Sequence, residues 1–328
     1  MFSDKKNISI VTPCYNEEDN IEELYLRIKN VMSAYKYQYE HIIIDNCSTD
    51  NSIEILKKLA LKDKKLKLII NARNFGHIRS PYYGLLQAKG DAVILLASDL
   101  QDPPEMINQF LFKWERGFKI VLSVKPESEE SFFMFYIRKT YYKFLSRISE
   151  VKLINNATGA GLFDKVIIDN LKKIDDPYPY FRGLISEIGF PIATIPFKQP
   201  NRKHGITKNN FYTLYDLAIL GVTNHSKIPL RIMTFSGFIL SILSLLVAVI
   251  FLLAKIMYWD SFQLGLAPVL IGIFFFGAVQ AFFIGLLGEY IGSIHTHVRK
   301  LPLVIESERI NFEQKKLKKY YVWNYRFN

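Results

Sequence analysis

Two long stretches without a charge constrain this chain more than any other feature. Residues 232–254 read IMTFSGFILSILSLLVAVIFLLA, 23 residues, and residues 264–288 read LGLAPVLIGIFFFGAVQAFFIGLLG, 25 residues. A helix rises about 1.5 Å per residue, so about 20 apolar residues cross a hydrocarbon core. A buried helix of a soluble protein is the alternative for one such run, but two in succession predict a transmembrane hairpin over residues 229–290. The connection at 255–263 carries Tyr258 and Trp259, side chains suited to a membrane interface, and Lys255 is its only basic residue. Lys198, Arg202, Lys203, Lys208, Lys227 and Arg231 precede the hairpin, and Arg299, Lys300, Arg309 and a Lys315–Lys319 cluster follow it. The positive-inside bias then predicts cytoplasmic flanks, an outward-facing turn and a basic cytoplasmic tail over 291–328.

Of the 328 residues, 49% are hydrophobic, and the formal net charge is +11. That balance points to an anionic partner, for which nucleic acid, phospholipid and phosphorylated ligands all qualify. Cys14 and Cys47 lie far apart in sequence with neither metal-ligand nor redox spacing, so no disulfide framework is expected. Residues 3–7, Ser-Asp-Lys-Lys-Asn, run into a strand without the apolar core and cleavage site of a signal peptide, which predicts a cytoplasmic N-terminal part.

The N-terminal half repeats a strand–loop–helix unit. Ile8 to Thr12 is β-rich and is stopped by Pro13, and an amphipathic stretch follows to about Met32. His41 to Ile44 ends in Asp45-Asn46-Cys47-Ser48-Thr49-Asp50 and leads into a helical pattern from Ser52 to Leu61. Leu66 to Ile70 ends in Asn71-Ala72-Arg73-Asn74-Phe75-Gly76, with a helix to Ala88 and a strand from Ala92 to Ala97. Alternation of this kind predicts an α/β domain with a mostly parallel sheet. Ligands of such sheets sit beyond the carboxyl ends of the strands, where the polar clusters at Asn16–Glu17, Asp45–Asp50, Arg73–Gly76 and Ser98–Asp102 fall. Turn chemistry alone accounts for many such clusters. Asp99-Leu100-Gln101-Asp102-Pro103-Pro104-Glu105 asks for more, because it sets carboxylates and an amide after a buried strand, oxygen donors suited to Mg²⁺ or Mn²⁺.

In order and spacing, VTPCYNEEDNI, IIIDNCSTDNS, RNFGHIRSPYYGLLQAKGDAVI and SDLQDPPEMI resemble the family 2 glycosyltransferases of GT-A fold. Within them the chain is most similar to dolichyl-phosphate mannose synthases and bacterial polyprenyl-phosphate glycosyltransferases, through the hairpin as well. The resemblance implies a Rossmann-like, mostly parallel GT-A catalytic domain over 1–228, followed by two C-terminal transmembrane helices. It implies that Pro13, Tyr15 and Glu17 contact base and ribose, that Asp45 faces the nucleoside, and that Asn46, Arg73 and Ser98 line the nucleotide-sugar site. Asp99 and Gln101 take the place of metal ligands beside the diphosphate, and Lys125 stands near it. Arg202-Lys203-His204-Gly205-Ile206-Thr207-Lys208 fits the family pattern R-x-x-G-x-[ST]-K, in which the Arg and Lys approach phosphates. Arg202 offers a bidentate fork and Lys208 a point charge.

Three positions depart from the family. D-x-D reads Ala97-Ser98-Asp99, so its first carboxylate is missing. D-D-G-S-x-D has Asn46 for its second acid and Cys47 for its Gly. G-D-F-R-L reads Thr158-Gly159-Ala160-Gly161-Leu162, without the acid or the Arg. A polyprenyl phosphate is already anionic near neutral pH and needs no strong base, so the missing acid favours it over a hydroxyl acceptor. Glu187 is the nearest substitute acid, and equally a surface residue.

Residues 132–149 mix aromatics with Arg138, Lys139, Lys143 and Arg147 and predict an interfacial helix, as do residues 211–224. The same mix serves single-stranded nucleic acid, but the neighbouring spans decide for membrane, and no nucleic-acid partner is expected. Arg138 and Lys139 are assigned to the acceptor phosphate.

The expected protein is an inverting enzyme of a bacterial inner membrane that moves a hexose-type sugar from a nucleoside diphosphate, uridine favoured over guanosine by the bacterial members, to polyprenyl phosphate, with Mg²⁺ or Mn²⁺. A glycan or glycolipid hydroxyl acceptor and a catalytically silent nucleotide-sugar-binding scaffold stay open. So does a homo-oligomer, since the hairpin can pack on itself or on lipid.

Overall fold

The computed structural model describes residues 6–125, 154, 156–197, 226, 228–257 and 266–313. The expected helices at 132–149 and 211–224, Arg138, Lys139, Arg202, Lys208 and most of the hairpin turn lie outside these residues. Four strands, β1 (Asn7–Cys14), β2 (Gln38–Asp45), β3 (Leu66–Asn71) and β4 (Ala92–Leu95), pair in parallel in the order β3-β2-β1-β4. Their central residues are buried on both faces, which is why Ile42–Ile44 and Ala92–Leu95 read as unbroken apolar runs. The α/β expectation for this half is therefore met.

Helices α1 (Ile21–Ser33), α2 (Ser52–Lys62) and α3 (Gly76–Gln87) cross between these strands. In α1 the buried residues are Ile21, Leu24, Tyr25, Ile28, Val31 and Met32, a stripe at helical spacing, and Glu22 and Glu23 favour its N-terminal dipole. α1 and α2 pack on one face of the sheet with α4 (Ile107–Glu115), while α3 covers the other with α5 (Lys165–Leu171) and α6 (Phe181–Glu187).

Beyond β4 the sheet becomes mixed. β6 (Ala157–Asp164) runs antiparallel to β4 and to β5 (Ile120–Val124), and β7 (Ile192–Pro196) is parallel to β5. Asp164 fastens this half: it caps α5 through Val166 N at 3.1 Å, accepts from Trp114 Nε1 at 2.7 Å and pairs with Lys119 at 2.9 Å. Burial opposes its ionised form, but these donors outweigh it and hold the carboxyl below its ordinary range.

Two long helices follow, α7 (Ile228–Met257, 30 residues) and α8 (Leu266–Val298, 33 residues), each long and apolar enough to cross a membrane. Side chains such as Phe235 (68% exposed) and Phe274 (75%) are uncovered along them. α8 continues ten residues past Gly288, where the apolar run ends.

The expected tail from 291 is corrected in its first part. After α8 the chain returns to the domain, and β8 (Glu306–Ile310) pairs antiparallel with β3 as the outer strand of the eight-stranded sheet. Beside it Ala72 N donates to Ile305 O at 2.8 Å, Ser307 Oγ to Ile70 O at 3.0 Å, and Asn311 Nδ2 to Ala60 O and Leu66 O at 2.7 and 2.8 Å. The bare edge of β3 needed covering, and a segment with two glutamates and an Arg covers it while its outward face stays charged. The expectation of a tail rests on the basic residues after the hairpin, which say nothing of strand pairing.

Candidate active site

The strand order reverses between β1 and β4, and the carboxyl ends of both strands open on the same side. In an open α/β sheet that crevice is where ligands bind. Pro13 is next to last in β1, Leu95 is last in β4, and Thr158 to Ala160 stand at the start of β6. Together with Asp102, His77, Tyr180 and Arg182 these residues line a cavity of about 270 Å³.

On the β2 side of the crevice the loops are knitted together. Asn16, in a left-handed conformation at φ 54°, exchanges bonds with Thr49: its Nδ2 donates to Thr49 Oγ1 at 3.1 Å and its Oδ1 accepts from Thr49 N at 2.8 Å. Its own N–H donates to Ser48 Oγ at 2.9 Å, and Glu17 N donates to Ser52 Oγ at 2.9 Å. Asp45 is fully buried and accepts from Ser48 N at 2.9 Å and Ser48 Oγ at 2.6 Å. Burial pushes its carboxyl up despite those bonds. Asp45 thus closes the turn that carries the loop. Tyr15 and Glu17 are half-buried beside it.

Asn46 is a hub. Its Nδ2 donates to Asn74 Oδ1 at 2.9 Å and to Gly76 O at 3.3 Å, while its Oδ1 accepts from Asn71 Nδ2 at 3.0 Å and Phe75 N at 2.9 Å. The departure from the family's acid has a physical reason here, since a carboxylate would set oxygen against two acceptors. Asn46→Asp is therefore expected to cost at least about 2 kcal/mol, because a buried charge left facing acceptors costs more than a lost neutral bond. That corresponds to a thermal midpoint lower by roughly 4–8 °C for a domain of this size; an unchanged midpoint in a melt of the full chain would contradict the hub. Cys47 sits at φ 64°, the conformation for which the family uses Gly. Arg73 is exposed, donates to Asn74 O at 3.0 Å and lies over the Phe75 ring at 4.1 Å.

At the β4 end, Ser98 is buried, Asp99 and Gln101 are half-buried, and Gln101 N donates to Asp99 Oδ1 at 3.2 Å. Among the described residues no three His, Cys, Asp or Glu side chains gather as a complete metal site. Asp99 and Gln101 carry oxygen donors of the type that a hard cation takes, and Mg²⁺ commonly completes its shell with phosphate oxygens and water.

The missing base is explained by the backbone. Gly159 has φ 105°, a region that L side chains rarely adopt, although the space around it is open. At Gly161 a Cβ would lie 2.5 Å from Val121 O, so the family's Arg has no room. Glu187, weighed equally as a substitute acid and as a surface residue, is exposed at the end of α6 and does not line the cavity. Lys125 follows the last residue of β5, its N–H bonded to Asn156 O at 3.0 Å.

Sequence reasoning passed over Asp102. It is 4% exposed and accepts from Thr158 Oγ1 at 3.0 Å, and its carboxyl is raised to about 6, by burial first and by Asp99 as well. Its place inside DLQDPPE was a signal, but the contact with Thr158 spans 56 residues and no local pattern reports it.

Known proteins resemble this chain over most of its length. The model of Glycosyl transferase family 2 matches residues 9–171. An uncharacterized glycosyltransferase of Synechocystis sp. is 32% identical over 313 residues, 95% of this chain and 98% of that relative. An SfII prophage-derived bactoprenol glucosyl transferase of Shigella flexneri is 32% identical over 301 residues, 91% of this chain and 96% of the relative. Among solved structures, a mannosyltransferase from Pyrobaculum calidifontis in complex with GDP-Man and Mn²⁺ is 15% identical, with 90% of this chain and 88% of that one covered and a TM-score of 0.45.

Proposed function

Because the chain belongs to glycosyl transferase family 2, we propose that it moves a hexose-type sugar, with inversion, from a nucleoside diphosphate to polyprenyl phosphate at a membrane surface. The observation that carries this reading is the return of the chain to its own sheet. β3 precedes the apolar helices and β8 follows them, yet the two strands are hydrogen-bonded neighbours. Such a connection suits a hairpin with both ends on one side of a bilayer, the sheet held close to the headgroups. A water-soluble donor and a lipid acceptor meet there. The bactoprenol glucosyl transferase relative supports the acceptor class.

The chemistry fits the residues present. An acceptor phosphate oxygen attacks the anomeric carbon, the bond from that carbon to the diphosphate breaks, and the nucleoside diphosphate leaves with the electron pair. No proton need be removed from an anionic phosphate, so Gly159 at the family's acid position is no obstacle. Positioning and charge stabilisation then supply most of the acceleration. Asp99 and Gln101 would hold Mg²⁺ or Mn²⁺, which when bound neutralises charge developing on the departing diphosphate. Arg202 and Lys208 are assigned to the phosphates of the donor, Lys125 to the diphosphate, and Arg138 and Lys139 to the acceptor. Uridine diphosphate is the favoured nucleotide, and a bacterial plasma membrane with the sheet on its cytoplasmic side the favoured location.

Full-length protein in nanodiscs, given uridine and guanosine diphosphate sugars, polyprenyl phosphate and Mn²⁺, is expected to form a lipid-linked sugar phosphodiester. Sugar found instead on a glycolipid hydroxyl would replace the acceptor. Nucleotide binding without product from any donor would favour a silent scaffold.

A further inference from the structure

α8 runs on beyond the apolar stretch, and its last turns are fastened to the α/β domain. Tyr290 Oη donates to Ser226 O at 2.9 Å, beside the start of α7. Two turns later, on the same side of the helix, His297 Nε2 lies 3.3 Å from Asp176 Oδ1. Just past the helix, Arg79 of α3 donates to Pro302 O.

The contact at Asp176 differs from the other two in where it leads. Asp176 lies in the connection between α5 and α6 with its side chain 11% exposed, and the oxygen that meets His297 also accepts from Tyr178 N at 2.8 Å. One atom thus joins the turn to the helix. From that turn the chain runs directly into Pro179, Tyr180, Phe181 and Arg182, which form one wall of the cavity. The Phe181 ring stands edge-on to Phe163 and Tyr82, with ring centres 5.1 and 6.2 Å apart, so a displaced turn displaces packed rings and not a loose loop. The Asp176 charge is felt there as well: burial first, and Asp176 after it, hold the Tyr82 phenol above its ordinary range.

The ring of His297 is set for this contact. Its Nδ1 lies 2.8 Å from Ser293 O, one turn back, so its two nitrogens face two oxygens. A ring protonated on both nitrogens donates to both, and the bond to Ser293 O fixes where Nε2 points. The His297 side chain is 40% exposed, and an ion pair so open to water adds little to stability. Its value lies in position.

We propose that Asp176 and His297 are positioning residues for sugar transfer: their contact fixes the wall from Pro179 to Arg182 relative to the membrane hairpin, and so holds the cavity in place for a substrate that arrives in the bilayer. The assignment rests on the glycosyltransferase reading and adds to it a link between the domain and the hairpin. A misplacement of about 1 Å, caused far from the chemistry, costs up to about a hundredfold in rate.

The test uses full-length protein in nanodiscs with polyprenyl phosphate and the uridine or guanosine diphosphate sugar that gives product. It measures kcat, affinity for the free nucleotide, and hydrogen exchange over residues 176–182. His297→Ala is expected to lower kcat about 10- to 100-fold and to leave nucleotide affinity within about twofold. Its thermal midpoint should stay within about two degrees of wild type, and exchange over 176–182 should quicken about three- to tenfold. Asp176→Asn, which keeps an oxygen for Tyr178 N, should match it, and the double variant should be no slower than either, because both changes remove one contact. His297→Arg keeps a donor and a positive charge and should restore kcat to within about threefold of wild type. If Asp176→Asn does not fold, His297→Ala against His297→Arg makes the same comparison. Losses that multiply in the double variant overturn the proposal, as does a normal kcat or an unaltered exchange rate in folded His297→Ala. Wild type that forms no lipid-linked sugar refutes the transferase reading and the positioning role with it, a different result from transfer that is indifferent to His297.

Discussion

Asp99→Ala is expected to lower sugar transfer by about a hundredfold to a thousandfold while the thermal midpoint stays within a degree or two of wild type. Loss of one group that stabilises charge developing in the transition state costs a factor of this size. Asp99 lies four residues beyond the last residue of β4, half-buried, with Oδ1 held by Gln101 N at 3.2 Å. The strand itself ends in residues that are buried in the core, and Asp99 lies beyond them, half-buried. Ala97 removes one family carboxylate, so the burden on Asp99 is larger than in a chain with both. Transfer rates at saturating donor, with and without Mn²⁺, measure the effect. Asp99→Asn should fall between wild type and Asp99→Ala, because it keeps an oxygen donor and loses the charge. A folded Asp99→Ala protein with ordinary turnover would remove the cation from this end of β4.

Truncation after Leu301 is expected to destabilise the α/β domain by about 3–6 kcal/mol, although among the described residues it removes neither a helix nor a residue that lines the cavity. It deletes β8 and with it the pairing of Leu68 to Asn71. It also removes the bonds of Ile305 O, Ser307 and Asn311 to the β3 side, and the buried Val304. At a net value of about 0.5–1.5 kcal/mol for each hydrogen bond, half a dozen of them reach that total. The polar cluster of Arg309 with Glu306 and Gln87 goes too, but as an exposed pair it adds little. For a domain of this size the midpoint should fall by roughly 10 °C or more. The uncovered edge of β3 should promote association through unpaired backbone groups, visible in size-exclusion chromatography. A truncated chain that melts and migrates as wild type does would show that β8 is an accessory.

These two expectations differ in how far the sequence announces them. Asp99 lies in a local motif after an apolar strand, and both signals sit within ten residues. β8 offers no such signal: Glu-Ser-Glu-Arg-Ile has weak strand propensity, and its partner lies more than two hundred residues earlier. The same division runs through the site. That Asn46 replaces an acid is plain in the sequence, while the reason, two acceptor oxygens from the β3 loop, exists only once β2 and β3 are side by side. That Gly159 replaces an acid is equally plain, while the φ of 105° that disfavours one there is a property of the folded turn.

The periodicity of the residues was enough for the parallel half of the sheet, its three crossing helices, the two apolar helices and the position of polar motifs at strand ends. Each of these follows from spacing along the chain, because apolar residues at period 3.6 or in unbroken runs declare which surface must leave water. The tertiary structure alone decided which surfaces meet. It set β8 against β3 and so placed a structural strand in the first part of the expected tail. It also brought Thr158 within hydrogen-bonding distance of Asp102 at the wall of the cavity. Contacts between distant residues depend on the register and order of whole strands, which no local pattern encodes.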